Sequence, residues 1–304
     1  MTQVLPVFKN ASVLNTRRTL EGVFHLTPSP MVNQIIEFAL AYNANKHGIG
    51  IYAFCALSNH HHLPAHEPHG NGADFRRDFH SQVTRSLNVY RGTSEAKWTP
   101  DQKSPVVLYD QEALLDKIAY TIANPCRHHL VDTPEKWPGV ISLVKDLAGE
   151  PKVIKKPKCF YDPNGDVPEE VSLKYVKPPE LAHMTIEEYR NEIARRVEAK
   201  CKAARKARKG RVVGGAAILS QDPTEKAKTE KKKGDLNPRF ACSQKELRIA
   251  LLLWLVEFRL AHRKARLAFE AGDTEVEFPF GTYLHARRYH VKCATTGPPE
   301  WPPG

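Results

Sequence analysis

The stretch IGIYAFCALSNHHHL, residues 49–63, joins an apolar run to three consecutive histidines. The run predicts a buried strand, and the residues from Asn59 onward either form a second strand after a sharp turn or continue the first. Because successive side chains of a strand point to opposite faces, His60 and His62 share one face and His61 points to the other. Two imidazoles on one face can bind one divalent metal ion, although a histidine-rich strand end that binds nothing would have the same sequence.

A second stretch, LLDKIAYTIANP at residues 114–125, predicts an amphipathic helix. Its apolar stripe repeats every four residues from Leu114 to Ile122. Tyr120 lies off this stripe, and Asn124 follows one turn later on the same side. The proline after Asn124 is expected to end the helix. A tyrosine in this position is either a functional side chain or a half-buried residue that packs at the helix end.

The remaining sequence up to residue 149 indicates alternating strands and helices. Residues 1–20 are expected to form a weakly structured lead-in, and the predicted elements are a strand at 23–27, helices at 31–47, 73–91 and 111–124, and a partly extended segment at 98–109. Strand-helix-strand-strand-helix-strand is the ferredoxin-like pattern. We therefore predict an α+β fold class, a ferredoxin-like βαββαβ domain followed by a mostly helical, basic C-terminal extension.

The two motifs, Asn-His-His-His at 59–62 and Tyr-Thr-Ile-Ala-Asn-Pro at 120–125, resemble those of the single-tyrosine HUH transposases. The resemblance is greatest to the REP-associated tyrosine transposases and extends over about residues 20–145. Two positions differ from the family pattern. His61 stands where the family usually has an apolar residue, and Pro64 removes a backbone donor, so the strand is expected to end early or to bulge there.

The resemblance implies a metal site formed by His60 and His62, with Asn124 as a further ligand and Tyr120 as the nucleophile. It also implies Mg²⁺ or Mn²⁺ as the cofactor, single-stranded or hairpin REP-like DNA as the substrate, a 5′-phosphotyrosine intermediate, and a homodimer. The residue chemistry fits, because a side-chain carbonyl suits these oxygen-preferring ions. A phenol with a pKa of about 10 also needs a nearby cation to become a nucleophile.

The net charge of the chain is +11 and its pI is about 9.3. A charge of this size indicates a polyanionic partner, with nucleic acid as the first candidate, although a merely basic protein would have the same composition. The predicted DNA contacts are the cations on the polar side of the second helix and one on the tyrosine helix: Arg76, Arg77, Arg85, Arg91 and Lys117.

We divide the chain into an HUH domain at 1–149, a connector with a basic helix and flexible linker at 150–242, and an accessory region at 243–304. Residues 150–182 are expected to be irregular and 212–237 flexible. Within the basic helix, residues 195–209 carry a net charge of +7 and either follow a phosphate backbone or form a solvated helix. The last region should contain a helix capped by Ser243 and Glu246, then a β-hairpin at 276–291.

Scattered cysteines, an N-terminus without a signal-peptide pattern and the lack of a long apolar run predict a cytoplasmic protein without membrane segments, acting at the bacterial nucleoid. Two other functions remain open. A transposase-derived protein could bind DNA without catalysis. A zinc hydrolase could use His60, His62 and His66 as ligands.

Overall fold

Strand β1, Ala11–Arg18, lies near the middle of the main sheet. The computed structural model describes residues 4–100, 105–162, 164–227 and 238–300. Because β1 occupies residues 11–18 and no strand forms at 23–27, the predictions of a weakly structured lead-in and of a first strand at 23–27 were wrong. Both faces of β1 are covered, and polar residues are buried on each: Ser12 Oγ lies 2.6 Å from the Tyr52 hydroxyl, and Asn15 accepts a hydrogen bond of 3.0 Å from Arg76. These buried polar residues hide the alternation that usually marks a strand.

Seven further strands are described, namely β2 (Gly50–Ile51), β3 (Cys55–Leu57), β4 (His60–Glu67), β5 (Val106–Leu108), β6 (Lys152–Lys155), β7 (Glu170–Leu173) and β8 (Phe240–Ala241). The main sheet has the order β2-β4-β1-β5-β8, and β3 also pairs with β4. All its pairs are antiparallel except β5 with β8, so the sheet is mixed.

Strands β3 and β4 form a tight hairpin in which Leu57 pairs with His60. The apolar run and the histidine segment are thus neighbouring strands joined by a sharp turn. Of the two alternatives at Pro64, an early end of the strand was wrong, because β4 continues to Glu67. Three residues of the partner segment, 52–54, lie opposite Leu63 and Pro64, as in a bulge. Pro64 lies opposite the interruption between β2 and β3, where Tyr52 donates to its carbonyl. At an interruption in the partner strand, the missing N–H of proline removes little ladder bonding.

The described α-helices are α1 (Pro30–His47), α2 (Gly72–Arg91), α3 (Gln111–Ile122), α4 (Asn124–Arg127), α5 (Ile186–Ala207), α6 (Gly215–Leu219), α7 (Lys245–Glu270) and α8 (Leu284–Tyr289). Asp110 caps α3 by accepting from the backbone N–H of Ala113 at 2.7 Å. Pro125 does not end the helical path. It occupies the first turn of α4, where a missing N–H costs little.

Helix α5 packs on α3 through a buried stripe that includes Tyr189, Ile193 and Val197. Five of the eight Lys and Arg residues at 195–209 form ion pairs with acidic side chains, including Arg196 with Glu112 and Lys200 with Asp116. Most of its positive charges are therefore neutralised within the protein, and one side of the helix is packed. Neither of the two predicted forms, a helix free to follow a phosphate backbone or a fully solvated helix, describes it.

Three local predictions for the second half of the chain were wrong. Residues 150–182 contain the β6–β7 hairpin, which packs on α1. No hairpin forms within 276–291, where α8 lies instead. Ser243 does not cap α7, because its N–H and hydroxyl both donate to Asp110.

The linker prediction at 212–237 falls partly on residues 228–237, which lie outside the described residues. In the described part, α6 places Ile218 fully in the core, so this portion is packed.

The main core includes residues from Leu14 to Ile218. A second cluster joins Phe8 and Val13 to Phe240 and the apolar side of α7. None of the described helices is long and apolar enough to span a membrane.

Candidate metal and tyrosine site

His60 and His62 lie on the same face of β4, with ring centroids 5.0 Å apart and ring planes nearly perpendicular. His61 points to the other face, where it is buried against Phe54 and Phe79. The alternation predicted from the sequence is therefore observed, and the two imidazoles converge on one region.

Asn59 fixes the orientation of His60. The Asn59 amide nitrogen donates to the carbonyl of Gly22 at 3.3 Å, which leaves its oxygen to accept a 2.7 Å bond from His60 Nδ1. Because Nδ1 is then the protonated nitrogen of a neutral ring, Nε2 carries the free lone pair. A histidine that donates through one nitrogen to a fixed acceptor has the arrangement of a metal ligand.

Thr16 of β1 plays the corresponding part for His62. Its hydroxyl lies 2.9 Å from His62 Nδ1, and His62 Nε2 is buried without a hydrogen-bond partner among the described residues. A buried imidazole nitrogen without a partner costs free energy unless something else satisfies it.

Tyr120 extends from α3 of the same chain toward this pair. Its half-buried ring meets the His62 ring edge-on, with centroids 5.1 Å apart. The Arg127 guanidinium lies 4.2 Å from the centre of the tyrosine ring and the Lys117 ammonium 5.6 Å from it. Two cationic side chains therefore border the tyrosine ring.

Asn124, at the start of α4, is completely buried, yet neither polar atom of its amide has a hydrogen-bond partner within the described ranges. Its side chain nevertheless lies close enough to His60 to act on that ring as a hydrogen-bond partner, which opposes part of the fall in the pKa of His60. Of the side chains in this region, it is the one that could supply an oxygen beside the two histidines.

Two further basic side chains border the site, and the sequence did not single them out for it. Arg18 is the register partner of His60 across β1, and its Nε is buried without a partner among the described residues. The exposed His128, which follows α4, places its ring centroid 5.7 Å from that of His60. The position of Arg18 beside His60 could not be predicted because the sequence did not reveal strand β1. The contact of His128 with His60 depends on the helical continuation past Pro125.

The surroundings keep the histidines uncharged. Burial lowers the pKa of His60 to about 3, and the nearby charges of His128 and Arg18 act in the same direction. Burial likewise holds the pKa of His62 well below its ordinary value, with contributions from the neighbouring histidines and Arg127. Neutral imidazole is the form that binds a metal.

The other face of β4 has different chemistry. His61 Nε2 lies 2.8 Å from His80 Nε2 of α2, so one ring donates and the other accepts. His80 is buried, although Arg76, Arg77 and Arg85 of the same helix were expected on its polar side. Trp98 covers this pair and donates its indole N–H to the carbonyl of His80 at 3.0 Å. His80 thus explains why a polar residue occupies position 61.

The predicted DNA-contacting cations do not form one surface. Lys117 lies at the tyrosine site and pairs with Asp116 at 2.9 Å. The four arginines lie elsewhere: Arg76 pairs with the buried Glu67, Arg77 with Asp74 and Asp78, Arg85 lies over the Phe160 ring, and Arg91 donates to the carbonyl of His25.

The atoms without partners on His62 and Asn124, with the free Nε2 of His60, make a donor set of two imidazole nitrogens and one amide oxygen. This set fits a divalent ion that accepts both nitrogen and oxygen. Within the part of the chain that the structure describes, no three His, Cys, Asp or Glu side chains form a metal-binding group. His66, needed for the zinc-hydrolase alternative, pairs with Ser12 near the far end of β4 from His60.

No protein-family model and no curated protein matches this chain. Among solved structures, a REP-associated tyrosine transposase bound to a REP hairpin is similar over 53% of this chain and 98% of its own. The sequence identity is 15% and the TM-score is 0.41. A likeness at this level does not define a function.

Proposed function

We propose that this protein is a metal-dependent transferase of single-stranded DNA, with Tyr120 as the nucleophile and His60, His62 and Asn124 as metal ligands. The observation that carries the proposal is the edge-on contact of Tyr120 with His62, at 5.1 Å, beside two imidazoles whose Nδ1 atoms are already occupied. A nucleophile next to an oriented, unsatisfied ligand set is the arrangement expected of an active site.

The fold interpretation is part of this proposal. The elements β1-α1-β2-β4-α2-β5 follow the ferredoxin-like succession, and the antiparallel order β2-β4-β1-β5 supports it. In this interpretation β2 and β3 are two parts of one interrupted strand that pairs with β4, and β8 is an addition at the edge.

A bound Mg²⁺ or Mn²⁺ would act as a Lewis acid on a phosphate oxygen. The protein groups prepare the site for it, since Asn59 and Thr16 orient the two rings and burial keeps them neutral. Arg18 and Arg127 supply positive charge at the rim, where a phosphodiester would be attracted.

The reaction proposed is an exchange of phosphodiester bonds. The Tyr120 oxygen loses its proton and forms a bond to phosphorus, the bond from phosphorus to the 3′ oxygen breaks, and that oxygen leaves and takes up a proton. The product is a 5′-phosphotyrosine and a free 3′-hydroxyl, and the reverse step restores the strand without an external energy source. Lys117 and Arg127 lie beside the ring, where their positive charges would attract the phosphodiester.

Single-stranded or hairpin DNA is the proposed substrate, because a backbone phosphate must reach a half-buried tyrosine at the end of a sheet. All the proposed catalytic and metal-binding residues belong to one chain. A homodimer is therefore a separate proposal, which the chemistry does not require.

The direct test is incubation of the full chain with hairpins that carry single-stranded flanks, with Mn²⁺ or with EDTA, followed by a denaturing gel. We expect a protein–DNA adduct that needs both the metal and the single-stranded flank. Binding of the same hairpin without any adduct, over a range of metals, would instead support the non-catalytic DNA-binding alternative.

A further inference from the structure

A cavity of about 730 Å³ lies on the face of the sheet that carries His61, away from Tyr120. Its walls come from the N-terminal segment, β1, α2, β5, β8 and α7, with Phe8, Trp98, Phe240 and Leu255 among the apolar side chains. This volume is in the range of sites for small molecules.

The cavity is strongly basic. Glu67 is the one acidic residue among its described lining. Five arginines line it, namely Arg17, Arg76, Arg77, Arg85 and Arg239. Glu67 is already engaged by Arg76 at 2.5 Å, and Arg77 pairs with aspartates on its own helix. Arg85 lies over the Phe160 ring, which leaves two guanidiniums without a partner.

These two are Arg17 and Arg239. Arg17 Nε and Arg239 Nη1 are buried, and neither side chain has a hydrogen bond or ion pair within the described ranges. Burial lowers the pKa of both groups, and the charge of Arg259 adds to the effect on Arg239. Withdrawing a guanidinium from water without a counter-ion is costly, so an anion in the cavity would relieve the cost at both positions.

We propose that this cavity binds a small amphipathic anion, an apolar or aromatic body with a carboxylate, sulfonate or phosphate that Arg17 and Arg239 contact. The aromatic and aliphatic walls would accept the body, and the two unpaired guanidiniums would bind the charged end. This binding site is separate from the tyrosine site because Arg17 faces away from it, in register with His61.

The test uses 8-anilinonaphthalene-1-sulfonate, an aromatic anion that becomes fluorescent when it leaves water, titrated into the full chain. We expect saturable binding of one probe, weakened about tenfold or more by Arg17→Gln and by Arg239→Gln because each removes a charged donor. Arg288→Gln is the matched control, since Arg288 is exposed and does not line the cavity. Its affinity should equal that of the wild type.

A blocking variant separates loss of the site from loss of the fold. Ser81 is an exposed residue of α2 in the cavity wall, so Ser81→Trp should fill the space without disturbing the core. Probe binding should disappear while thermal unfolding remains that of the wild type. Retained binding in this variant would place the probe elsewhere and overturn the proposal.

Competition identifies the ligand chemistry. Octanoate should displace the probe and octanol should do so much less, because the charged end is required. Equal displacement by both would show a purely apolar site. Displacement by oligo(dT) but not by octanoate would show a nucleic-acid path instead, and either result would refute the small-anion assignment.

Discussion

On one face of β4, His60 and His62 use Nδ1 to bond fixed oxygen atoms and leave Nε2 available beside Tyr120. On the other face, His61 and His80 use Nε2 to bond each other under a cover of aromatic rings. The residue type is the same, and the partners differ. Which nitrogen is occupied determines whether a buried histidine can take a ligand or serves as a packed pair in the core.

The largest effect that this comparison predicts comes from Tyr120→Phe. The substitution removes the one atom that would attack phosphorus, and the Tyr120 hydroxyl makes no hydrogen bond within the described residues, so folding should hardly change. Hairpin binding should persist while the covalent adduct falls below detection on a denaturing gel. An adduct that persists, and that peptide mapping places on Tyr90 or Tyr109, would refute the assignment.

Removing either imidazole that faces Tyr120 should have the next largest effect. For His62→Ala or His60→Ala we expect adduct formation to fall by at least about 10²-fold, more than is usual for the loss of an outer partner of a ligand. Mn²⁺ binding, measured by calorimetry, should weaken in parallel. His66→Ala is the matched control, since His66 is a half-buried histidine on the same face of β4 at its other end. If His66→Ala reduced adduct formation and Mn²⁺ affinity as much as His60→Ala does, the assignment of His60 and His62 as the metal ligands would be wrong.

A smaller effect is expected from the groups that orient the ligands. Asn59→Ala removes the acceptor that holds the proton on His60 Nδ1, and Thr16→Val removes the hydroxyl that contacts His62 Nδ1. Each should reduce metal affinity by about 10- to 100-fold. Asn59→Asp keeps an acceptor and should recover most of the affinity. If Asn59→Ala bound Mn²⁺ as well as the wild type, Asn59 would have no orienting role.

The histidine alternation and the position of Tyr120 off its apolar stripe followed from sequence periodicity, because both depend on local geometry alone. Thr16 and Arg18 could not be found in this way. Their strand carries buried polar residues whose partners, such as Tyr52 and Arg76, are distant in sequence. The same reason explains His80, whose burial depends on its pairing with His61. The β-hairpin predicted near the C-terminus was wrong because Phe278 packs against His262 and Phe269 of α7 and His285 of α8, not against a second strand.

The smallest effect on catalysis should come from the His61–His80 pair, and its effect on stability has a distinctive pattern. His61→Leu alone leaves His80 buried without its partner and should cost about 1–3 kcal/mol of stability, as should His80→Leu. The double variant replaces both partners by apolar groups and should recover most of that loss. Adduct formation should stay within about twofold of the wild type in all three, because neither ring faces Tyr120.

The dependence of stability on pH sharpens this test. Burial lowers the pKa of His61 to about 3 and that of His80 well below its ordinary value, so both stay neutral in the folded chain while the unfolded chain takes up protons below about pH 6.5. Stability should therefore fall as the pH drops from 6.5 toward 3, by up to about 1.4 kcal/mol per pH unit for each histidine. The double variant lacks both groups, so its stability, measured by urea unfolding, should fall less steeply over this range. An unchanged slope would mean that these rings are protonated in the folded protein. The interpretation of His61 and His80 as a neutral buried pair would then be wrong.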